Sequence, residues 1–381
     1  MRFTTPEQRA AMVPSAVAAL LKVLGSARVA GGAVRDSLMG VVPKDWDVAT
    51  SLTPDDVMAK SLERGYAVIE TGLQHGTVTV VVEGHAVEVT TLRVDVATDG
   101  RHAEIEFTTD WRVDAERRDL TTNAMFMDAE GEVTDFFGGQ EDMAAGVVRF
   151  VGSPTERMQE DYLRILRFFR FSGRMSALKF DRETMRAVRR NSVGLKRISV
   201  ERVWMEMAKV LAGPNMVAML EAMQTTGVLG VLGVDAPDME AAELAASHRG
   251  VRPETVFAAL VGRNAPQLAE QWKMSRSEQD TVAFVVNHKN ERLHARSQAD
   301  WEVLAERHGK DMVLQLMTLT HETEARDQLD AWDVPTFPVA GRDLLARDWT
   351  PGPGMGAELK RLREVWVKSH FTLTKDELLN G

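Results

Sequence analysis

The chain has 381 residues, 44% of them hydrophobic, no cysteine and a formal net charge of −10. That length supports more than one hydrophobic core, and the absence of cysteine excludes disulfides, thiol nucleophiles and thiolate-bound zinc. No stretch approaches about eighteen uninterrupted apolar residues, and Met1 to Ala11 is polar instead of a basic segment with an apolar core, so a cytoplasmic protein without membrane contact is expected.

Ala27 to Ala30 reads as a short strand that breaks at Gly31-Gly32 and restarts as a helix from Ala33 to Met39. Paired glycines let the backbone approach an anion without interference from Cβ, a new helix presents unpaired N–H groups, and Arg35 adds a positive charge one turn in. Lys44-Asp45-Trp46-Asp47-Val48 then reads as a second strand, with Asp45 and Asp47 at i and i+2 leaving the same face. Two carboxylates about 6–7 Å apart along a strand can share hard divalent cations. Mg²⁺ fits, because waters and substrate phosphates complete its oxygen shell. Either piece alone is common on solvated surfaces; side by side they suggest phosphoryl or nucleotidyl transfer.

Val78 to Glu83 and Ala86 to Leu92 read as a hairpin turned at Gly84-His85, which brings Glu88 within reach of the two aspartates as a third carboxylate or leaves it as an exposed strand residue. His75, just before the hairpin, is either a substrate contact or a turn residue. Val94 to Ala115 is polar and without period, and reads as a long loop. In Arg117-Arg118-Asp119, Arg118 can neutralise a triphosphate or reach a ribose and Asp119 can accept from ribose hydroxyls, although such a triplet also serves as a helix-end ion pair.

From Pro154 the period is helical. Thr155 to Met175 is expected as one amphipathic helix, Asp181 to Asn191 as another, and Ser199 to Leu211 as a third that stops at Gly213-Pro214. Asp161, Arg164, Arg167 and Arg170 recur every three residues on the first of these. Asp161 beside Arg164 offers an acceptor next to a donor, complementary to the amino group and ring nitrogen that cytosine and adenine share and mismatched to uracil and guanine; the alternative is a surface ion pair. Between Arg149 and Lys209 there are fifteen lysines and arginines against seven acids, so a +8 block sits inside an acidic chain, a pattern suited to a polyanion. The histidines of the C-terminal half lack metal-binding spacing.

Gly31-Gly32-Ala33-Val34-Arg35-Asp36 followed by Asp45-x-Asp47 resembles the signature of the class II tRNA nucleotidyltransferases, the bacterial CCA-adding enzymes and their poly(A) polymerase relatives. The resemblance implies an α+β fold: a nucleotidyltransferase head with a small mixed β-sheet (1–145), then an all-α neck (146–213), body (214–330) and tail (331–381), the tail holding the tRNA elbow. It implies Asp45 and Asp47 as catalytic metal ligands, with Glu88 left open. Gly32, Arg35, Arg118 and Asp119 would bind the nucleotide, and Asp161 with Arg164 would be the protein template for CTP and ATP. Arg167 and Arg170 match further nucleotide contacts. The implied reaction adds C, C and A to tRNA 3′ ends. A poly(A) polymerase, a partial enzyme adding only CC or only A, and an inactive RNA-binding relative are the alternatives. Two segments favour the full product: Glu70 to Thr77 resembles the CCA-adding version, and the polar loop Thr98 to Thr109 resembles a flexible loop that CC-only relatives lack.

Overall fold

The computed structural model describes residues 3–98, 103–289 and 296–380, and the chain folds as two units, 1–233 and 234–381. The first unit is built on nine strands: β1 (Ala27–Ala30), β2 (Val48–Thr50), β3 (Ala67–Gly72), β4 (Thr77–Val82), β5 (His85–Thr91), β6 (Arg93–Thr98), β7 (Ala103–Phe107), β8 (Met125–Met127) and β9 (Val133–Asp135). Seven form one sheet in the order β3-β4-β5-β2-β1-β8-β9, mixed because β2 runs parallel to β5 while every other neighbouring pair is antiparallel.

Alternation along the central strands divides the apolar residues between two cores. Val29, Val48, Val89, Met125 and Met127 lie on one side with α1 (Pro6–Met12), α2 (Ser15–Leu24), α3 (Gly32–Leu38) and α4 (Pro54–Glu63) following the same chain; Leu20, Val34, Leu38 and Val57 belong to that cluster. Their neighbours Ala30, Ala49 and Phe126 lie in a second cluster with Leu92, Ala124 and Val151. Each large aliphatic side chain so buried contributes about 1.5–3 kcal/mol, so the sheet is held from both faces.

Two sequence expectations change here. The segment read as a loop from Val94 to Ala115 is a separate antiparallel ribbon of β6 and β7, followed by α5 (Trp111–Glu116). Asp99 to His102, part of the expected flexible loop, lie outside the described residues. The ribbon's base sits over Gly76, where any Cβ would meet the Phe107 ring at 2.6 Å.

The expected helix from Thr155 to Met175 is two helices. After α6 (Gly139–Ala145) come α7 (Pro154–Glu160) and α8 (Leu163–Ser172), and Asp161 between them is extended, with φ −151° and ψ 107°. Its carboxylate accepts from the Leu163 N–H at 3.0 Å, capping the second helix. The Tyr162 ring lies against Gly194 so closely that a Cβ there would fall 2.0 Å from it. This tertiary contact, with no proline or glycine at the break itself, overrides the helical period. The unit continues through α9 (Arg182–Asn191), α10 (Val200–Leu211) and α11 (Met216–Thr225).

The second unit is helical among its described residues. One core gathers around Trp301, Leu316 and Leu329, and another around Leu362 and Trp366 of the helix Pro353–Lys368. No helix is long and apolar enough to cross a membrane among the described residues.

Candidate active site

The two-glycine turn joins β1 to α3 as the sequence suggests. Gly31 has φ 68° and ψ −121°, a conformation that favours glycine, and a Cβ there would stand a tight 3.0 Å from Arg118 Nη1. At Gly32 the nearest atom to an added Cβ is Arg35 Nη2 at 3.6 Å, an ordinary contact. The turn is fixed from both sides: the Ala30 N–H donates to the Asp47 carbonyl at 2.9 Å, and the Gly31 N–H to the Met125 carbonyl at 3.0 Å.

Asp45 and Asp47 do not lie in a strand; they occupy the loop that delivers the chain into β2 at Val48. Their alternation around half-buried Trp46 survives, and both carboxylates are exposed. In the parallel β2–β5 pairing Val48 opposes Val89, so Glu88 stands next to Asp47 across the strands. The Asp47 carboxyl is held above its ordinary range, first by the protein packed around it and then by Glu88, with Asp45 adding to the effect and Arg118 opposing it. This repulsion is relieved by a cation, and the donors are hard oxygens, which fits a divalent metal. Among the described residues no three histidine, aspartate or glutamate side chains converge to hold an ion unaided. Asp45 and Asp47 would therefore need water or substrate oxygens to complete a shell, and Glu88 does not close it.

Arg35 departs from its expected place. It is buried, with its Nε and Nη2 donating to Asp36 Oδ1 at 2.9 and 2.6 Å, its Nη1 donating to Asn123 Oδ1 at 2.7 Å, and its guanidinium lying 4.6 Å from the centre of the Phe171 ring. Burial holds its pKa below the usual arginine value, with Asp36 opposing. Such a side chain braces α3 from beneath and does not extend toward a ligand.

Arg118 and Asp119 follow α5 and are tied to the head by ion pairs and hydrogen bonds. Arg118 Nε and Nη2 donate to Asp114 Oδ2 at 3.2 and 3.0 Å, and its guanidinium lies 5.0 Å from the Phe126 ring centre, beneath Gly31 and within electrostatic reach of Asp47. Asp119 is buried: Oδ1 accepts from the Leu120 N–H at 2.9 Å and Asn123 Nδ2 at 3.2 Å, and Oδ2 accepts from Arg167 Nε at 2.6 Å. Burial alone raises the Asp119 carboxyl, but the Arg167 charge and these hydrogen bonds outweigh it and hold the group below its ordinary range.

The arginine row is divided among different partners. Because Asp161 lies off the helix, it does not pair with Arg164: Asp161 Oδ2 accepts from Arg202 Nη2 of α10 at 2.7 Å, while Arg164 donates to Glu160 and to the Arg157 carbonyl. The two residues stay adjacent through the backbone, Arg164 N–H to Asp161 carbonyl at 3.0 Å. Arg170 donates to both oxygens of buried Glu206 at 2.9 Å. Arg167 and Arg170 also lie 5.3 and 4.3 Å from the Phe171 ring centre. His75 is exposed on a short turn before β4. The sequence reading passed over Asn123, Phe171, Arg202 and Glu206. Asn123 lies four residues after Asp119, and Arg202 and Glu206, four apart, mark one face of α10.

A glycine turn entering a helix, with two aspartates leading into the neighbouring strand of a mixed sheet, is the head of a nucleotidyltransferase. Residues 27–149 match the poly A polymerase head domain, and residues 177–241 match a family described as a probable RNA and SrmB-binding site of polymerase A. A CCA tRNA nucleotidyltransferase 1, mitochondrial, from Danio rerio is 41% identical over 370 residues, 93% of this chain and 86% of that protein. A CCA-adding enzyme of Bacillus velezensis is 32% identical over 94% of each chain. The crystal structure of the Bacillus stearothermophilus CCA-adding enzyme in complex with CTP superposes with a TM-score of 0.76 at 28% identity, over 96% of this chain and 94% of that one. The chain belongs to the CCA-adding tRNA nucleotidyltransferase family.

The lowered Asp119 carboxyl gives a signed pH dependence. Its pKa is lower folded than unfolded, so its contribution to stability is present at neutral pH and is lost as the pH falls through and below about 4. Asp119→Asn should be less stable than wild type at pH 7 and lose less stability between about pH 5 and pH 3, read from urea midpoints. Equal pH slopes in the two proteins would contradict the assignment.

Proposed function

We propose that this enzyme adds C, C and A to the 3′ end of tRNA from CTP and ATP. The observation that supports the reading is the bond from the Ala30 N–H to the Asp47 carbonyl, which ties the strand leading into the Gly31-Gly32 turn to the loop that carries two exposed carboxylates. In this reaction a tRNA 3′-hydroxyl oxygen bonds to the α-phosphorus of the nucleotide and the bond to the bridging oxygen breaks, releasing pyrophosphate.

The chain's own groups divide that work. Backbone N–H groups at Gly32 receive phosphate oxygens, Arg118 offsets their charge, and Asp119 with Arg167 borders the ribose. Arg35 supports the turn from below. Asp45 and Asp47 would hold Mg²⁺, which when bound activates the attacking hydroxyl and offsets charge on the departing pyrophosphate. Asp161 and Arg164 present an acceptor and a donor to the edge that cytosine and adenine share. Asp161 pairs with Arg202 and Arg164 with Glu160, so the base competes with those pairs. Exposed Arg182, Arg186, Arg190 and Lys196 on and after α9 give the tRNA backbone a basic surface, and the C-terminal tail is the proposed holder of the tRNA elbow.

We divide the chain functionally as head 1–145, neck 146–213, body 214–330 and tail 331–381. The compartment we assign is the cytoplasm, where tRNA and both nucleotides meet. The Danio rerio relative is named as mitochondrial, and fractionation of the source cells separates the two.

A tRNA lacking its 3′ terminus, offered CTP, ATP, UTP and GTP singly and together, should acquire CC with CTP alone and CCA with CTP and ATP, read by sequencing product ends. A run of adenosines identifies a poly(A) polymerase instead. Asp47→Asn should cut the rate by at least about a hundredfold with tRNA binding retained, because it removes a metal-ligand charge without changing shape. Full turnover in that variant would sink the assignment.

The β6–β7 ribbon is the lever we propose for moving from cytosine to adenine. Replacing residues 98–109 by a few glycines should leave CC addition largely unchanged and slow the terminal A by about tenfold or more. An undiminished rate of A addition would make the ribbon only a connector.

A further inference from the structure

Three arginines that hold different carboxylates meet at one phenyl ring. Phe171, on α8, is 3% exposed. The guanidinium carbons of Arg35, Arg167 and Arg170 lie 4.6, 5.3 and 4.3 Å from its ring centre. Each cation also pairs with an acid: Arg35 with Asp36, Arg167 with Asp119 and Arg170 with Glu206. Burial first, and then the nearby charges of Arg174 and Arg170, hold Arg35 below the usual arginine value against the pull of Asp36, so like charges crowd this ring. The negative face of an aromatic ring attracts cations that otherwise repel one another, and more strongly away from water. Leucine here would keep an apolar side chain but lose that attraction.

The ring joins two elements with separate tasks. Arg35 belongs to α3, the helix that begins at the Gly31-Gly32 turn. Phe171 lies seven residues after Arg164 on α8, about two turns, so the two residues share one face. A nucleotide has a fixed reach from triphosphate to base. A turn that takes the phosphates and a helix that presents Arg164 to the base must therefore be held at one separation, and the contact of Arg35 with Phe171 links them.

We propose that Phe171 is a positioning residue that ties the phosphate-binding turn to the base-reading helix, so that one nucleotide engages both at once. The assignment rests on the proposed roles of the glycine turn and Arg164. When two subsites stand at the right span, binding at one raises the effective concentration of the ligand at the other. Losing the span weakens the whole nucleotide and leaves the affinity of a fragment that fills one subsite unchanged.

The test places mono-, di- and trifluorinated phenylalanine at position 171, which keeps the ring in place and withdraws charge from its face step by step. Phe171→Leu and thermal melting accompany the series. On a tRNA lacking its 3′ terminus, KM for CTP and for ATP should climb together, by about fivefold in the trifluorinated protein and about tenfold in Phe171→Leu. The inhibition constant of inorganic tripolyphosphate, which fills the phosphate subsite alone, should stay within about twofold. Where Phe171→Leu melts below the assay temperature, the fluorinated series decides. A KM for CTP that stays flat along that series would overturn the coupling role, as would a tripolyphosphate constant that rises in step with it. Failure of the wild type to add C would instead defeat the proposed function.

Discussion

The ion pair between buried Asp119 and half-buried Arg167 is the constraint on which the arrangement of this site depends. It crosses from the segment between α5 and β8 to α8, a separation of 48 residues, with a 2.6 Å contact. Taking the Asp119 charge out of water is costly, and the attraction of Arg167 offsets this only when geometry and further hydrogen bonds are good. Here Leu120 and Asn123 supply those bonds. The pair's consequence is positional: it sets Phe171, one turn along α8, under Arg35, so the helix carrying the arginines and the helix behind the glycine turn share one ring.

A second layer of pairs orders the other side of α8. Glu206 takes Arg170, and Arg202 takes Asp161, so α10 fixes both ends of the segment expected to read the base. Arg170 is thereby held against Glu206. The head contributes charge of the opposite kind: Asp45, Asp47 and Glu88 repel one another, and Arg118 is the cation that tempers them from beneath Gly31. The site thus places an acidic, cation-seeking loop next to a framework of neutralised arginines. That polarity suits a triphosphate, whose reacting end requires metal and whose base requires directional hydrogen bonds.

Much of this was legible in the sequence where local chemistry decides the conformation. Ala27–Ala30, the glycine turn and the following helix lie where apolar run, breaker and restart place them, because no distant contact competes. The hairpin of β4 and β5 shows the same, although its turn falls at Glu83 and Gly84, one residue earlier than read, with φ of 51° and 81°. Tertiary packing decided the rest. The helical period runs unbroken through Asp161, but Tyr162 packing on Gly194 and the Leu163 cap break the helix there. The ribbon's strands carry a period of two, Val94-Asp95-Val96 and Ala103-Glu104-Ile105-Glu106-Phe107, which the polar residues around them obscure. Arg35 reads as an exposed cation until Asn123, 88 residues away, is seen to accept from it.

A double-mutant cycle on Asp119→Asn and Arg167→Met, scored by kcat/KM for CTP on a tRNA lacking its 3′ terminus, tests the central claim most directly. If the pair acts as one positioning unit, the double variant should be no worse than the more damaged single variant. If the two losses multiply, the residues act independently and the ion pair does not organise the site.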